Sequence, residues 1–167
     1  TNTFTVGGIS GSGAAQAFWQ NYVNTSAITV FTALQLGLNR MDLCLNGATY
    51  GRQGPKAIIT TKAVFTIYHL ALTANARYTN MEIGDGGFKT LQYSTLPVLF
   101  DDNCPAGHMY FVDTDAINLQ ILSKGNNKKT EMMHSHTQLV QLMLLSTYCN
   151  LTCGSRRTNA VLSTITG

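Results

Sequence analysis

The side chains best suited to chemistry in this chain are histidines and cysteines. His134 and His136 are two residues apart, so on a strand both imidazoles would lie on one face. Cys149 and Cys153 would add two thiolates and complete a tetrahedral set of zinc ligands. The spacing, however, matches no zinc finger or zinc ribbon pattern. We therefore predict polar surface histidines, buried reduced cysteines and no metal site.

A second candidate is the pair Cys104 and His108, in which a thiol lies at turn distance from an imidazole base. Cys104 precedes a proline, and the sequence places neither a helix N-terminus nor an orienting acid beside it. Asp101 and Asp102 could act as a carboxylate pair, but acids in a turn usually serve as turn formers. We therefore predict no catalytic residue and no enzyme activity, and keep a small enzyme with a Cys/His or metal site as an alternative.

The glycines near the start of the chain invite comparison with a nucleotide-binding loop. Gly8, Gly11 and Gly13 are spaced in the reverse order of the dinucleotide fingerprint, and no Lys-Ser or Lys-Thr pair follows them. An acid that binds a ribose hydroxyl is expected about 20 positions later, but the first acid in the chain is Asp42. We predict a flexible Gly/Ser loop and no cofactor.

The composition indicates one globular domain. With 167 residues the chain can bury a core, but a formal net charge of +3 is too small for a nucleic-acid footprint. Its basic clusters are the pairs Lys128-Lys129 and Arg156-Arg157. We find no signal peptide and no apolar run near the ~20 residues of a membrane helix. Sparse charge with many Thr, Asn, Gln and Ser favours surfaces that contact protein. The start at Thr1 suggests a fragment or a processed product.

The predicted scaffold is centred on residues 96–122, the stretch that contains Asp101, Asp102, Cys104 and His108. Its composition predicts strand, turn, strand, short turn and strand at residues 96–100, 101–107, 109–112, 113–115 and 117–121. Asp, Asn, Pro and Gly in the first turn favour a reversal of the chain. Ile117, Leu119 and Ile121 alternate with polar residues, the pattern of a half-buried strand.

Apolar periodicity predicts the remaining elements. The predicted helices are residues 14–23, a second that begins at Ser26 or Thr29 and ends near Leu45, and a third capped by Thr60 or Thr61. The predicted strands are residues 56–60, 88–93, 138–153 and 160–165, and the predicted loops are 74–87 and 123–129. Trp19 is predicted to be a packing anchor with its N–H hydrogen-bonded. Gly37, inside the second helix, indicates a close packing contact.

Four stretches, in this order, resemble elements of one protein family. They are residues 6–9 (VGGI) with 18–21 (FWQN), 55–61 (PKAIITT), 87–111 (GF, LPV and CPAGHMYF) and 148–157 (YCNLTC and RR). On these stretches the sequence resembles the C-terminal half of tailed-bacteriophage major capsid proteins of the Hong Kong 97 fold. The resemblance implies an α+β fold with a mixed or antiparallel sheet flanked by helices.

The resemblance also implies a division into domains. The peripheral domain or a connection would hold residues 1–26, the axial domain 27–122, and the C-terminal loop and strands of the peripheral domain 123–167. The family's N-terminal arm, extended loop and long spine helix would precede Thr1. Gln20 stands where this branch of the family has Arg, and Ser10 where it has Asp, so the contacts of relatives there are not expected here.

The function implied by the resemblance is that of a structural subunit of an icosahedral viral shell. Such a subunit assembles into hexamers and pentamers around double-stranded DNA, in the host cytoplasm, and then resides in the virion. Its implied partners are copies of itself, scaffold, portal or decoration proteins, and packaged DNA through non-specific contact, with no membrane. Loops 74–87 and 123–129 would crowd the symmetry axis. Arg156 and Arg157 would touch DNA or a neighbouring subunit, or lie in solvent. An encapsulin-type compartment or a gene-transfer particle shell is the alternative within the fold.

Overall fold

The computed structural model of the chain describes residues 5–6, 9–10, 18–25, 34–74, 82–83, 89–134 and 141–166. These residues belong to two compact units, which we call the body (Thr1–Ala116 with Ser155–Gly167) and the arm (Ile117–Gly154). The units are bounded near residues 117 and 155, whereas the sequence suggested boundaries near 27 and 123. The assignment of axial and peripheral domains remains a prediction.

Most of the helices and strands belong to the body. The body contains α1 (Leu34–Ala48), α2 (Lys62–Ala74), β1 (Thr5–Val6), β2 (Ile9–Ser10), β3 (Tyr22–Asn24), β4 (Ala57–Thr60), β5 (Glu82–Ile83), β6 (Lys89–Tyr93), β7 (Leu96–Phe100), β8 (Met109–Val112) and β15 (Ala160–Leu162). The arm contains β9 (Ile117–Ile121), β10 (Lys128–Lys129), β11 (Met133–His134), β12 (Gln141–Leu142), β13 (Leu145–Ser146) and β14 (Cys149–Cys153).

Seven strands of the body form one mixed sheet, in the order β3-β15-β8-β4-β7-β6-β5. The pairs β3/β15 and β4/β7 are parallel, and the other neighbours are antiparallel. The chain reverses at residues 101–107 as predicted, but β4 lies between the two strands that flank this turn. The predicted α+β fold, with a mixed sheet and helices, is confirmed.

One face of this sheet packs against both helices. Ile58 of β4 pairs with Val98 of β7 and with Phe111 of β8, so these three side chains point to the same face. All three are buried in one core cluster that includes Met41 of α1 and Tyr68 of α2. Burial of this row against the helices contributes to the apolar contact that holds the body together.

The opposite face of the sheet is less covered. Ile59, Leu99, Tyr110 and Val161 pair across β4, β7, β8 and β15 and share this face. Leu99 is 41% exposed, and the other three are half-buried. The sheet is therefore apolar on both faces, although the helices bury only one of them.

Each helix turns a stripe of apolar residues toward the core. The periodicity correctly placed Met41, Val64 and Tyr68 on these stripes, whereas Leu38, Leu45, Ile67 and Ala71, which it also placed there, are only half-buried. The buried stripe consists of Gly37, Met41, Cys44 and Ala48 in α1, and of Val64, Tyr68 and Leu72 in α2. Thr61 caps α2 as predicted, because its Oγ1 accepts a hydrogen bond from the N–H of Val64 (3.4 Å). Helix α1 ends at Ala48, three residues beyond the predicted end.

Several local predictions were wrong because strand pairing overrode the local residue patterns. Tyr22 and Val23 belong to β3 rather than to a helix, while residues 14–17 of that predicted helix lie outside the described residues. The predicted loop 74–87 contains β5, and the predicted loop 123–129 contains β10. At the start of the chain, β1 and β2 pair antiparallel where a flexible loop was predicted.

The predicted strand 138–153 is also divided differently. Its described part forms three short strands, β12, β13 and β14, instead of one. Trp19 also departs from its prediction: its side chain is half-buried, but no described residue accepts a hydrogen bond from its Nε1.

Candidate functional site

The turn that carries Cys104 and His108 does not assemble a nucleophile. Cys104 Sγ lies 3.9 Å from the carbonyl oxygen of His108, and His108 Nδ1 lies 2.8 Å from the carbonyl oxygen of Ala106. Burial, together with the nearby Asp101 carboxylate, raises the pKa of the Cys104 thiol. Because the thiolate is the reactive form, a raised pKa makes Cys104 a poor nucleophile at neutral pH.

Asp101 acts as a turn former, as the sequence predicted. Its Oδ1 accepts a hydrogen bond from the backbone N–H of Asn103 (2.9 Å), and its carbonyl oxygen accepts one from the N–H of Cys104 (3.2 Å). The adjacent Asp102 is exposed. These contacts stabilise the turn and place two carboxylates at the surface.

The four side chains considered as metal ligands are only partly described. His134 lies in β11 and His136 lies outside the described residues, whereas Cys149 and Cys153 are two positions of the same face of β14. Within the described ranges, no three His, Cys, Asp or Glu side chains come together as a metal site. Both cysteines are exposed, so the prediction that they are core residues was wrong.

The arginine pair makes contacts within the body. Arg156 Nη2 donates a hydrogen bond to Asn21 Oδ1 (3.2 Å), and the Arg157 guanidinium lies 4.1 Å from the centre of the Tyr50 ring, a cation–π contact. Both arginines are half-buried. They are therefore not simply solvated, and their suggested contact with DNA or a neighbouring subunit remains a prediction.

Three further titratable groups lie in or against the core of the body: Cys44 and Tyr68 are buried, and Tyr93 is partly buried. Burial raises the pKa of Cys44 and that of Tyr68 to about 12. Burial also raises the pKa of Tyr93, helped by the hydrogen bond that its hydroxyl donates to Asp42. Groups held neutral in this way do not exchange protons near neutral pH, so they serve packing.

The most distinctive surface of the molecule is a two-stranded ribbon in the arm, formed by β9 and β14. Its directly opposed pairs alternate between two faces. One face carries Ile117 opposite Cys153, Leu119 opposite Leu151, and Ile121 opposite Cys149. The other face carries Asn118 opposite Thr152 and Gln120 opposite Asn150. The ribbon therefore has one wholly apolar face and one wholly polar face, which we call the apolar face and the polar face.

The apolar face of the ribbon is open to solvent. Leu119 is 61% exposed, Leu151 67% and Ile121 46%. The sequence predicted a half-buried strand here, and the alternation was correct, but the predicted burial was wrong. The sequence did not show which strand pairs with β9. That strand is β14, in which the same alternation recurs at Cys149, Leu151 and Cys153.

Beyond the ribbon, the arm continues as further antiparallel pairs, β10 with β13 and β11 with β12. At the junction the ring of Tyr148 lies over Gly125, where an added Cβ would come within 2.5 Å of the ring. A shallow groove of about 360 Å³ opens beside it, between Ile121, Leu122 and Cys149. Glycine at position 125 thus permits the close approach that shapes this groove.

Exposed apolar side chains are concentrated in the arm. Of eighteen large apolar side chains exposed among the described residues, eleven belong to this unit, which is less than a quarter of the chain. They are Leu119, Ile121, Leu122, Met132, Met133, Leu142, Met143, Leu144, Leu145, Tyr148 and Leu151. Concentrations of exposed apolar side chains of this kind mark interaction sites on soluble proteins. The arm is therefore the candidate functional site.

The body carries a second surface of interest at the end of β7. A groove of about 420 Å³ there is lined by Ile59, Leu99 and Phe100 on its apolar side and by Asp101, Asp102 and Asn103 on its polar side. The Phe100 ring lies 5.4 Å from that of Phe65 in α2, which fixes one wall. We call this surface the acidic groove.

Comparison with known proteins gives a fold but no sequence relative. No model of a known protein family matches the sequence, and no curated protein matches it. No helix among the described residues is long and apolar enough to span a membrane.

Two solved shell proteins have a similar structure. The capsid asymmetric unit of cyanophage A-1(L) aligns with a TM-score of 0.62 at 18% identity, over 98% of this chain and 56% of that chain. The holo-SrpI encapsulin complex from Synechococcus elongatus aligns with a TM-score of 0.59 at 13% identity, over 77% of this chain and 49% of that chain. The chain thus spans about half the length of each. It has the Hong Kong 97-like capsid fold, as the sequence resemblance predicted.

Proposed function

We propose that this chain is a structural subunit of an icosahedral viral shell, in the major capsid protein of a tailed double-stranded DNA phage. The observation that carries the proposal is the similarity of 98% of the chain to a cyanophage capsid protein. The concentration of exposed apolar side chains in the arm supports it, because a shell subunit buries such surface only when it assembles.

Assembly in this proposal is self-association. Each subunit offers one surface to a neighbour and a different surface to the next, and such heterologous contacts close by rotation into rings. Hexamers and pentamers built in this way form the shell. Scaffold, portal or decoration proteins are further partners, and the assembled shell resides in the virion after assembly in the host cytoplasm.

Packaged DNA would be accommodated without sequence-specific contacts. The formal net charge of +3 on 167 residues is modest, and phosphate contacts of this kind are non-specific and screened by salt. We therefore propose that the shell encloses double-stranded DNA but reads no sequence in it. No catalytic step and no cofactor is needed for this role.

A second candidate is an encapsulin-like compartment. The observation that favours it is the similarity of 77% of the chain to an encapsulin, at nearly the same TM-score. Both proposals require a closed shell of many copies, but they differ in its content.

The test is to express the full gene product and examine it by size-exclusion chromatography and negative-stain electron microscopy. Closed particles of uniform size support a shell, and a monodisperse small protein contradicts it. Nuclease-protected double-stranded DNA inside particles from infected cells supports the phage shell. Particles filled with a protein cargo and free of DNA support the compartment instead.

A further inference from the structure

The body presents a guanidinium group whose hydrogen-bond donors are unused. The Arg157 guanidinium lies over the ring of Tyr50, 4.1 Å from the ring centre. A guanidinium this close to a ring contacts it with its flat face, so the N–H donors around its edge stay available. Within the described ranges, neither Arg157 nor Arg52 forms an ion pair. Both side chains therefore keep their full positive charge.

The Tyr50 ring is presented by a tight turn that follows α1. Tyr50 and Gln53 exchange two backbone hydrogen bonds (2.8 and 3.1 Å), and Gly51 has the positive φ (+63°) that such a two-residue turn requires. The Tyr50 side chain is 59% exposed, and Arg52, in the same turn, is exposed as well. We call this surface, formed by Tyr50, Arg52 and Arg157, the arginine patch.

The acids that the fold brings toward this region do not neutralise the patch. The Asp115 carboxylate pairs with Lys56. Asp113 lies close in the fold, because its N–H donates a hydrogen bond to Asn159, two residues from Arg157. Its carboxylate is buried, however, and accepts a hydrogen bond from the N–H of Asp115 (3.2 Å). The patch therefore offers two unpaired positive charges to an anion from outside the body.

We infer that the arginine patch binds phosphate groups of packaged double-stranded DNA, and that it lies on the inner side of the shell. The inference rests on the proposed function, which supplies the DNA. An arginine already held on a ring can donate two parallel N–H bonds to one phosphate with less loss of side-chain freedom. Such contacts reach the DNA backbone and not the bases, so they carry no sequence information.

A carboxylate of a neighbouring copy is the other anion that such a patch would bind, and the composition disfavours it. The chain has only eight acidic residues in 167. Four of them, Asp42, Asp101, Asp113 and Asp115, already accept hydrogen bonds within the body. Packaged DNA brings phosphates to every subunit, and a weak contact that is repeated in every copy adds up over a shell.

Arginine labelling tests the contact in native particles. Phenylglyoxal modification, read by mass spectrometry, should be about tenfold slower at Arg52 and Arg157 in DNA-filled particles than in the same particles after DNA release, with Arg40 of α1 as the reference. Equal rates in filled and emptied particles overturn the inference. Arginines that stay protected in emptied particles but react in dissociated subunits face a neighbouring copy, which also overturns it.

Salt dependence counts the phosphates that the patch binds. For a mixed-sequence duplex and the dissociated full-length subunit, fluorescence anisotropy gives the slope of log affinity against log salt concentration. Arg157→Gln and Arg52→Gln should each reduce the magnitude of this slope by about 0.9. Lys62→Gln removes an exposed positive charge from α2 instead and should leave the slope unchanged. If Lys62→Gln reduces the slope as much as Arg157→Gln, or if neither arginine variant does, the patch is not the site.

Tyr50 is a positioning residue in this account, and its variant separates position from charge. Tyr50→Ala should weaken binding of the duplex about three- to fivefold at an unchanged salt slope, because both charges remain while the support of the Arg157 guanidinium is lost. An unchanged affinity overturns the role of the ring.

The outcomes separate this inference from the proposed function. Closed, DNA-filled particles whose patch arginines react freely refute the phosphate contact while the shell stands. Small oligomers that bind the duplex through Arg52 and Arg157 refute the shell while the DNA contact stands.

Discussion

The two faces of the body's sheet predict different costs for two alanine substitutions of the same size. Ile58→Ala and Leu99→Ala each remove three carbon atoms from neighbouring strands, β4 and β7. Ile58 is 0% exposed beneath the helices, whereas Leu99 is 41% exposed on the opposite face. The first substitution should therefore lower the free energy of unfolding much more than the second.

The expected magnitudes follow from burial. Three fully buried carbons at Ile58 are worth about 2.4 kcal/mol of transfer free energy at about 0.8 kcal/mol each. The cavity left in the core raises the loss to about 3 to 4 kcal/mol. At Leu99, which is 41% exposed, the transfer loss falls to about 1.4 kcal/mol and no closed cavity forms.

Urea unfolding followed by circular dichroism measures both values on the dissociated subunit. With a slope of about 2 kcal/mol/M, the midpoint should fall by about 1.5 to 2 M for Ile58→Ala and by about 0.7 M for Leu99→Ala. The slopes should stay equal to that of the wild type. A loss for Leu99→Ala as large as that for Ile58→Ala would refute the assignment of the two faces.

Two further predictions concern backbone strain and alkaline pH. Gly107 and Gly51 both have positive φ (+69° and +63°), but only at Gly107 would an added Cβ meet another atom, the carbonyl oxygen of Ile165 at 3.0 Å. Gly51→Ala should therefore lower the free energy of unfolding by about 1 to 2 kcal/mol through backbone strain. Gly107→Ala should lower it by about 1 kcal/mol more, because the added Cβ also meets the Ile165 carbonyl oxygen. Urea unfolding measures both losses, and equal losses would contradict the contact at Gly107. Because burial raises the pKa of Cys44 from 9.0 to about 12, its neutral thiol contributes stability that is complete below pH 9 and is lost as pH rises toward 12, by up to about 1.4 kcal/mol per pH unit. Cys44→Ala should flatten this slope between pH 9 and 10, and an unchanged slope would count against the thiol as its source.

The turn at residues 101–107 and the cap at Thr61 were predictable because both depend on neighbours in sequence. Asp101 accepts a hydrogen bond from Asn103, two residues away, and Thr61 accepts one from Val64, three residues away. Short-range chemistry of this kind leaves a pattern in residue types. The flanking strands and the buried stripes of the two helices followed from periodicity for the same reason.

The candidate site was predictable only in part. Alternation along residues 117–121 indicated a strand with two unlike faces, and residues 149–153 lay within a longer predicted strand, 138–153. Neither pattern shows that these strands pair with each other across the arm, since that pairing joins residues about 30 positions apart. The acidic groove has the same origin, because Ile59 and Leu99 meet through the parallel pairing of β4 with β7.

By itself, the sequence determined the strands at residues 96–100, 109–112 and 117–121 and the turn between the first two, because backbone geometry and side-chain period act over a few residues. It also carried the resemblance that the fold confirmed. Only the tertiary structure decided that β4 enters between β7 and β8, and that the arm's apolar face stays open while Ile58 and Phe111 are buried. The physical reason is that a period of two assigns side chains to faces, whereas burial depends on what distant parts of the chain, or another chain, place against each face.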